Sequence, residues 1–183
     1  MSKESLIHEL INHNSWSRNE SDAALKVIGW IEKHDDFAFV KENLAWHLTG
    51  SMIITNPEKT KILLMLHKKF QRWQHFGGHC DGEVDVRSVA IREFHEESWV
   101  VEEPEFFPGI FHVGVHDVPI DAKGRPPHFH FDLMYLWFLS PDVMLSHQAS
   151  EADGIWWFTF DEAQKMNNEP LLSLLIEKIR NLP

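Results

Sequence analysis

Gly77-Gly78 opens the run GGHCDGEVDVRSVAIREFHEESWV, which carries Arg92-Glu93-Phe94-His95-Glu96-Glu97. A glycine turn followed by a helix with three carboxylates about one turn apart restricts both fold and chemistry. Like charges spaced i,i+4 destabilise a helix by about 0.2–0.5 kcal/mol per pair, so Glu93 beside Glu97 calls for a cation between them. Carboxylate oxygens with little sulfur are the ligand set of Mg²⁺ or Mn²⁺. Asp85 is placed to act as N-cap, accepting from the first free amides. At about 100° per residue, Val86, Ala90, Ile91 and Phe94 share a sector that faces a core. Glu93 and Glu96 fill the adjoining sector, Glu97 falls at the seam, and Arg92 lies just beyond Glu96. The apolar stripe would anchor the helix and present its acids beside the glycines.

This stretch resembles the signature of the Nudix hydrolase family, G-x5-E-x7-R-E-U-x-E-E-x-G-U, where U is bulky and aliphatic. Gly78 matches the first glycine, Arg92-Glu93 the R-E pair, Phe94 the first U, Glu96-Glu97 the E-E pair and Val100 the last U. Two positions depart from it. The first glutamate falls on Val84, with a carboxylate next door at Glu83, and the late glycine falls on Trp99. The likeness extends through two expected strands at 47–54 and 61–66, joined by the turn Asn56-Pro57-Glu58-Lys59. It continues through an alternating strand at 127–138 and a late strand at 151–158 before a closing helix. The resemblance implies an α/β fold, a Nudix-type α/β/α sandwich with a mixed β-sheet, plus an N-terminal helical extension. We expect that extension over residues 1–40 and the Nudix hydrolase domain over residues 41–183.

The same resemblance implies metal-dependent hydrolysis of a diphosphate in a nucleoside diphosphate derivative or related small molecule. Glu93, Glu96 and Glu97 would hold Mg²⁺ or Mn²⁺, with the Gly77 carbonyl as a further oxygen. Either a helix carboxylate or Glu151, ahead of the late strand, would take the proton from water. Arg92 would orient the acids through charge-assisted hydrogen bonds. Lys68, Lys69 and Arg72 are candidates for substrate phosphates, and Trp73, Phe76, Phe107, Trp156 and Trp157 for stacking on a base. Substrate choice is expected in the loops at 101–126 and 139–150. Val84 and Trp99 keep open a second class, a module of this fold that holds a nucleotide without cleaving it. A diphosphate isomerase is a minor third reading, against which the intact Arg-Glu-x-x-Glu-Glu speaks.

A second constellation is made of histidines. His128, His130 and Asp132 alternate, so a strand would point all three to one face and Phe129, Phe131 and Leu133 to the other. His79 follows the glycines directly, and His116-Asp117 is expected on a neighbouring connection. Hydrolases that resemble this chain carry the same G-G-H with an H-x-H-x-D strand, which implies a site where His79, His116, His128 and His130 meet. Imidazoles at that spacing suit Zn²⁺, Mn²⁺ or Fe²⁺ better than Mg²⁺. The alternative is a polar strand face decorated with some of the 13 histidines. Cys80 reads as a small buried hydrophobe.

The 183 residues suffice for one sizeable core. The net charge of −11 opposes binding driven by nucleic-acid phosphates, which needs clustered Lys and Arg. It suits a protein that gathers cations before meeting an anionic small molecule. A single cysteine excludes an intramolecular disulfide and fits a reducing compartment. No apolar run reaches the roughly 18 residues of a membrane helix. The expected location is cytoplasmic, with no membrane or nucleic-acid partner; the family likeness admits a homodimer. Helices are expected at 3–13, on Leu6, Leu10 and Ile11, and at 20–34, on Leu25, Ile28 and Ile31. Asn19 or Ser21 is the expected cap of the second. A further short helix should begin near Asp161, and a closing one at 169–181 should bury Leu171, Leu174, Leu175 and Ile179.

Overall fold

A computed structural model describes residues 1–43, 45–102, 105–120, 126–147 and 150–183. Helices α1 (Lys3–Ile11) and α2 (Arg18–His34) lead through a short 3-10 turn, Asp35–Phe39, into strand β1 (Trp46–Thr55). Strands β2 (Lys61–His67), β3 (Arg72–Gln74) and β4 (Phe76–His79) precede helix α3 (Val86–Ser98). After it come β5 (Glu105–Phe106), β6 (His112–Val118), β7 (His128–Phe138) and β8 (Ala152–Thr159), then helices α4 (Phe160–Met166) and α5 (Pro170–Arg180). The strands form a mixed sheet in the order β3-β2-β1-β7-β5, with β4 on β1, β6 on β7 and β8 on β2. Two compact units are resolved: Met1–Ser51 with Gly77–Ala90 and Pro108–Tyr135, and Met52–Phe76 with Ile91–Phe107 and Leu136–Pro183. The unit boundaries fall within β1, β4, α3 and β7.

In the first unit, α2 starts at Arg18 because the Ser17 side chain accepts from the Glu20 amide at 3.2 Å, ahead of the expected caps Asn19 and Ser21. The buried face is Ala23, Ala24, Val27 and Ile31, while Leu25 points outward. On α1, Leu6 and Leu10 are buried, and Ile11, expected beside them, is exposed in the last turn. The segment expected as a connection around His116 is strand β6, antiparallel to β7, with His116 directly opposite His130. Gly77-Gly78 likewise belongs to a strand, β4, and the chain turns afterwards at Cys80-Asp81-Gly82-Glu83, where the Glu83 amide donates to the Cys80 carbonyl at 2.9 Å.

Two glycines let backbones approach within this unit. A Cβ at Gly50 would lie 2.6 Å from the Val86 carbonyl oxygen and 3.2 Å from the Ala90 nitrogen, so β1 rests on the first turns of α3. Gly77 has φ +152, and a Cβ there would meet the Gly50 carbonyl oxygen and Ser51 Cα, both at 2.8 Å. Only glycine permits these distances, which is the steric reason β4 can lie on β1.

In the second unit, β2 pairs antiparallel with β3, β8 and the end of β1. The β1–β2 turn is closed by Asn56, whose side-chain oxygen accepts from the Thr60 and Lys61 amides at 2.9 and 2.7 Å. Helix α4 begins at Phe160, not Asp161, because Thr159 and Glu162 form a reciprocal capping box. Helix α5 buries Leu172, Leu175, Ile176 and Ile179; Leu171 and Leu174 sit at the margin of that face. Phe76 packs edge-on against Phe94 at 4.9 Å and is fully buried, so it is a core residue and no stacking platform for a base.

Candidate functional site

Helix α3 is started by Asp85, whose side chain accepts from the Ser88 amide at 3.2 Å. Val86, Val89, Ala90 and Phe94 are fully buried along its apolar stripe. Within the second unit the acids then differ sharply in environment. Glu97 is only 3% exposed, Glu93 is half-buried, and Glu96 is open to solvent. Arg92 lies between two of them, with Nη2 2.7 Å from Glu93 Oε1 and Nε 3.8 Å from Glu96 Oε1. Burial pushes the Glu93 carboxyl above the usual carboxylate range; Arg92 opposes that shift, while Glu96 and Glu151 add to it by repulsion. Glu151 is exposed at the entrance to β8, and its carbonyl accepts from the Lys68 amide at 2.8 Å. Glu93 therefore senses both Glu96 and Glu151, a concentration of negative charge that a divalent cation would relieve.

The end of α3 takes the conformation the signature glycine would supply. Trp99 has φ +54, donates its amide to the His95 carbonyl at 2.9 Å and leaves its ring exposed. At the other departure, Val84 is half-buried. The neighbouring Glu83 carboxylate accepts from the Asp85 amide at 2.9 Å, holding the turn before the helix.

The basic and aromatic candidates of the second unit have their own contacts. Arg72 is ion-paired with Glu169. Lys69 lies over the exposed Phe70 ring, 5.1 Å from its centroid. Trp73 meets Phe158 edge-on at 4.8 Å, and its carbonyl accepts from Asn167 Nδ2 at 2.8 Å. Trp156 is well exposed on β8 and Trp157 half-buried. The expected specificity loops include residues 103–104, 121–125 and 148–149, which lie outside the described residues.

Gly77 and the histidines belong to the first unit. His47, His79 and His130, from β1, β4 and β7, each offer a ligand atom within 4.8 Å of the other two. His128 joins them from the side: its Nε2 is 3.2 Å from His130 Nε2, and its ring centroid is 5.1 Å from that of His47. His116 is engaged elsewhere, with Nε2 3.5 Å from Asp132 Oδ2. Buried Asp132 also accepts from Thr49 Oγ1 at 3.0 Å and Ser51 Oγ at 2.8 Å. Burial, and then the neighbouring imidazoles, hold the His130 pKa down to about 3, so its ring is neutral at ordinary pH. His47 is not among the histidines the sequence marks out for this cluster. Its signal is the polar column His47, Thr49 and Ser51 on one face of an otherwise apolar strand.

The model of the NUDIX domain matches residues 46–177. No curated protein sequence matches the chain. Among solved structures, the E. coli dihydroneopterin triphosphate pyrophosphohydrolase is similar, with TM-score 0.60 and 14% identity over 74% of this chain and 96% of that one. A C. elegans Ap4A hydrolase in a binary complex gives TM-score 0.53 and 22% identity over 73% of this chain and 94% of the other. A NUDIX-family hydrolase from Clostridium perfringens gives TM-score 0.53 and 21% identity over 75% and 98%. These likenesses concern the fold; the domain match covers well over half of the chain, which therefore belongs to the NUDIX family.

Proposed function

We propose that the protein is a metal-dependent hydrolase that splits a diphosphate linkage in a nucleoside diphosphate derivative or a related small molecule. The observation that carries this reading is the α3 acidic cluster, in which Glu93 is driven up by burial and by the charges of Glu96 and Glu151. Glu93, Glu96 and Glu97 are the residues that would hold Mg²⁺ or Mn²⁺; an all-carboxylate set fits these hard ions. When bound, such an ion neutralises charge gathering on phosphate oxygens and makes bound water easier to deprotonate. Arg92 keeps the Glu93 and Glu96 side chains in one place through its two contacts. Glu151, exposed and close enough to repel Glu93, is the carboxylate we assign to accept the proton from water. The neighbours named as a pyrophosphohydrolase and an Ap4A hydrolase share this fold and point to the same bond class.

Residues 1–40 form, on this reading, a helical addition to a catalytic domain that occupies residues 41–183; the family match from residue 46 supports that boundary. Among the described residues no helix is long and apolar enough to cross a membrane. Assay of phosphate release from a panel of nucleoside diphosphate derivatives, with Mg²⁺ or Mn²⁺, tests the activity. Glu97→Gln should lower kcat by about 100-fold or more, of the order found for a single electrostatic catalytic group. Equal metal-dependent turnover by both proteins would remove α3 from the chemistry. Val84 supports a second reading, a nucleotide-holding module without turnover. Thermal stabilisation by ligand with no hydrolysis in either metal, and turnover appearing in Val84→Glu, would establish it.

A further inference from the structure

The polar residues of β1 and β7 make an arrangement that the diphosphate reading does not use. His47, Thr49 and Ser51 share one face of β1, and His128, His130 and Asp132 share one face of β7, its neighbour in the sheet. The opposite face is aromatic: Trp46 stacks on Phe129 and Phe131 at 4.2 and 4.6 Å. Five of those six polar residues are buried, and His130 is half-buried. A strand face that only had to pack would avoid the desolvation of so many imidazole and carboxylate groups.

The ring orientations are set by backbone. A carbonyl can only accept, so the 3.1 Å contact of His47 Nδ1 with the Asn43 carbonyl places the proton on Nδ1. The 3.0 Å contact of His128 Nδ1 with the Pro126 carbonyl does the same for His128. Both rings in their neutral form then carry the lone pair on Nε2. A proton donated outward to a carbonyl, with the other nitrogen bare, is the pattern by which proteins orient histidine ligands. For His128, that lone pair accepts from His130 Nε2 at 3.2 Å, so His128 orients the His130 ring and is not itself a ligand. His79 is brought in by β4, whose approach depends on Gly77 lying against Gly50 and Ser51. Asp132, held by Thr49 and Ser51, supplies a fixed negative charge on the same strand face.

We propose that His47, His79 and His130 form a binding site for a divalent transition-metal ion, with a ligand set that shares no residue with the carboxylates of α3. Three nitrogens around a tetrahedral ion at about 2.0–2.1 Å sit roughly 3.3 Å apart. The ligand atoms here lie within 4.8 Å of one another, so small side-chain rotations close the site. Three imidazoles select Zn²⁺, Fe²⁺ or Mn²⁺ over Mg²⁺. A three-ligand set leaves a fourth position for water or an anionic oxygen, the form of a site that binds or activates something. Asp132 and His116 stand outside the ligand set; of the two, the Asp132 carboxylate offsets part of the charge of the ion.

The site does not depend on the hydrolase reading, and its test is a binding measurement. The full chain, stripped with a chelator, is titrated with Zn²⁺ in competition with a chromophoric chelator, and with Co²⁺ while its visible spectrum is followed. One equivalent should bind to wild type and, with the same affinity, to the double variant Glu93→Gln/Glu97→Gln and to His116→Ala. His47→Ala and His79→Ala should each weaken binding by at least 100-fold. Zn²⁺ absorption fine structure on wild type guards against variants that fail to fold, and should show imidazole nitrogens in the first shell. An oxygen-only shell, uptake lost in the glutamate variant, or equal affinity in wild type and a folded His47→Ala would each overturn the site. Turnover with Mg²⁺ in the phosphate-release assay reports separately on α3, so the two readings fail independently.

Discussion

Gly50 shows how one missing side chain sets a whole arrangement. Its Cα faces the Val86 carbonyl so closely that any Cβ would stand 2.6 Å from that oxygen and 3.1 Å from Val86 Cγ1. Backbone on both sides leaves little room to yield, so Gly50→Ala should destabilise the protein by about 2–3 kcal/mol, the scale of overpacking a filled core. Chemical denaturation would show this as a lower midpoint with an unchanged slope. A cost below about 0.5 kcal/mol would mean that α3 can move off β1. Glu20 is the opposite case, a charged side chain in the interior. Its carboxylate is 2% exposed and meets His13 Nε2 at 2.8 Å, His112 Nδ1 at 3.0 Å and the Trp16 amide at 2.9 Å. Glu20→Ala strips partners from groups on the α1–α2 connection and on β6 and should cost about 2–3 kcal/mol. Thermal unfolding unchanged from wild type would show that the network contributes little.

At the scale of elements, the helix ends carry the clearest expectations. Trp99 closes α3 in the left-handed region with its ring in solvent, at φ +54 and 64% exposed. A bulky residue there carries about 1–2 kcal/mol of strain, partly offset because glycine loses more freedom on folding. Trp99→Gly should therefore raise stability by about 0.5–1 kcal/mol; destabilisation would mean that the indole packs in solution. Helix α4 rests on the capping box, with Thr159 accepting from the Glu162 amide and Glu162 accepting from the Thr159 amide at 2.8 Å. Thr159→Ala should cost about 1 kcal/mol. The Thr159 hydroxyl and amide hold the Glu162 carboxyl below its usual range. A depressed folded-state value means that the folded state binds fewer protons than the unfolded one within the window below 4.5. The carboxylate's contribution is thus full above that window and disappears as pH falls through the folded value. The stability gap between wild type and Glu162→Ala should close on the same descent; a gap independent of pH would assign the effect to helix propensity.

For the molecule as a whole, legibility followed the distance between partners along the chain. The α3 helix, its Asp85 cap and its apolar stripe depend on neighbours three and four residues away, and all were readable; the differing burial of Glu93, Glu96 and Glu97 was not. The strands at β1, β2, β7 and β8 were readable for the same reason, since alternation and turn residues are local. Caps were less so: Ser17 and Thr159 won over nearby polar residues through hydrogen bonds that several candidates could have made. The histidines mark the limit. His79, His128 and His130 stand out in the sequence, yet His116 is drawn to Asp132 and His47, unremarked on an apolar strand, takes its place. That exchange depends on which strands pair and in what register, set by backbone contacts such as those of Gly50 and Gly77 between distant segments. Short-range periodicity and charge spacing therefore suffice to write down the acidic helix and most of the elements, and the signature residues Gly78, Arg92, Glu93, Glu96 and Glu97 carry the likeness to the family. The company each imidazole keeps, and the burial of Glu20, required the packed chain, because desolvation and long-range pairing arise only when remote residues are brought together.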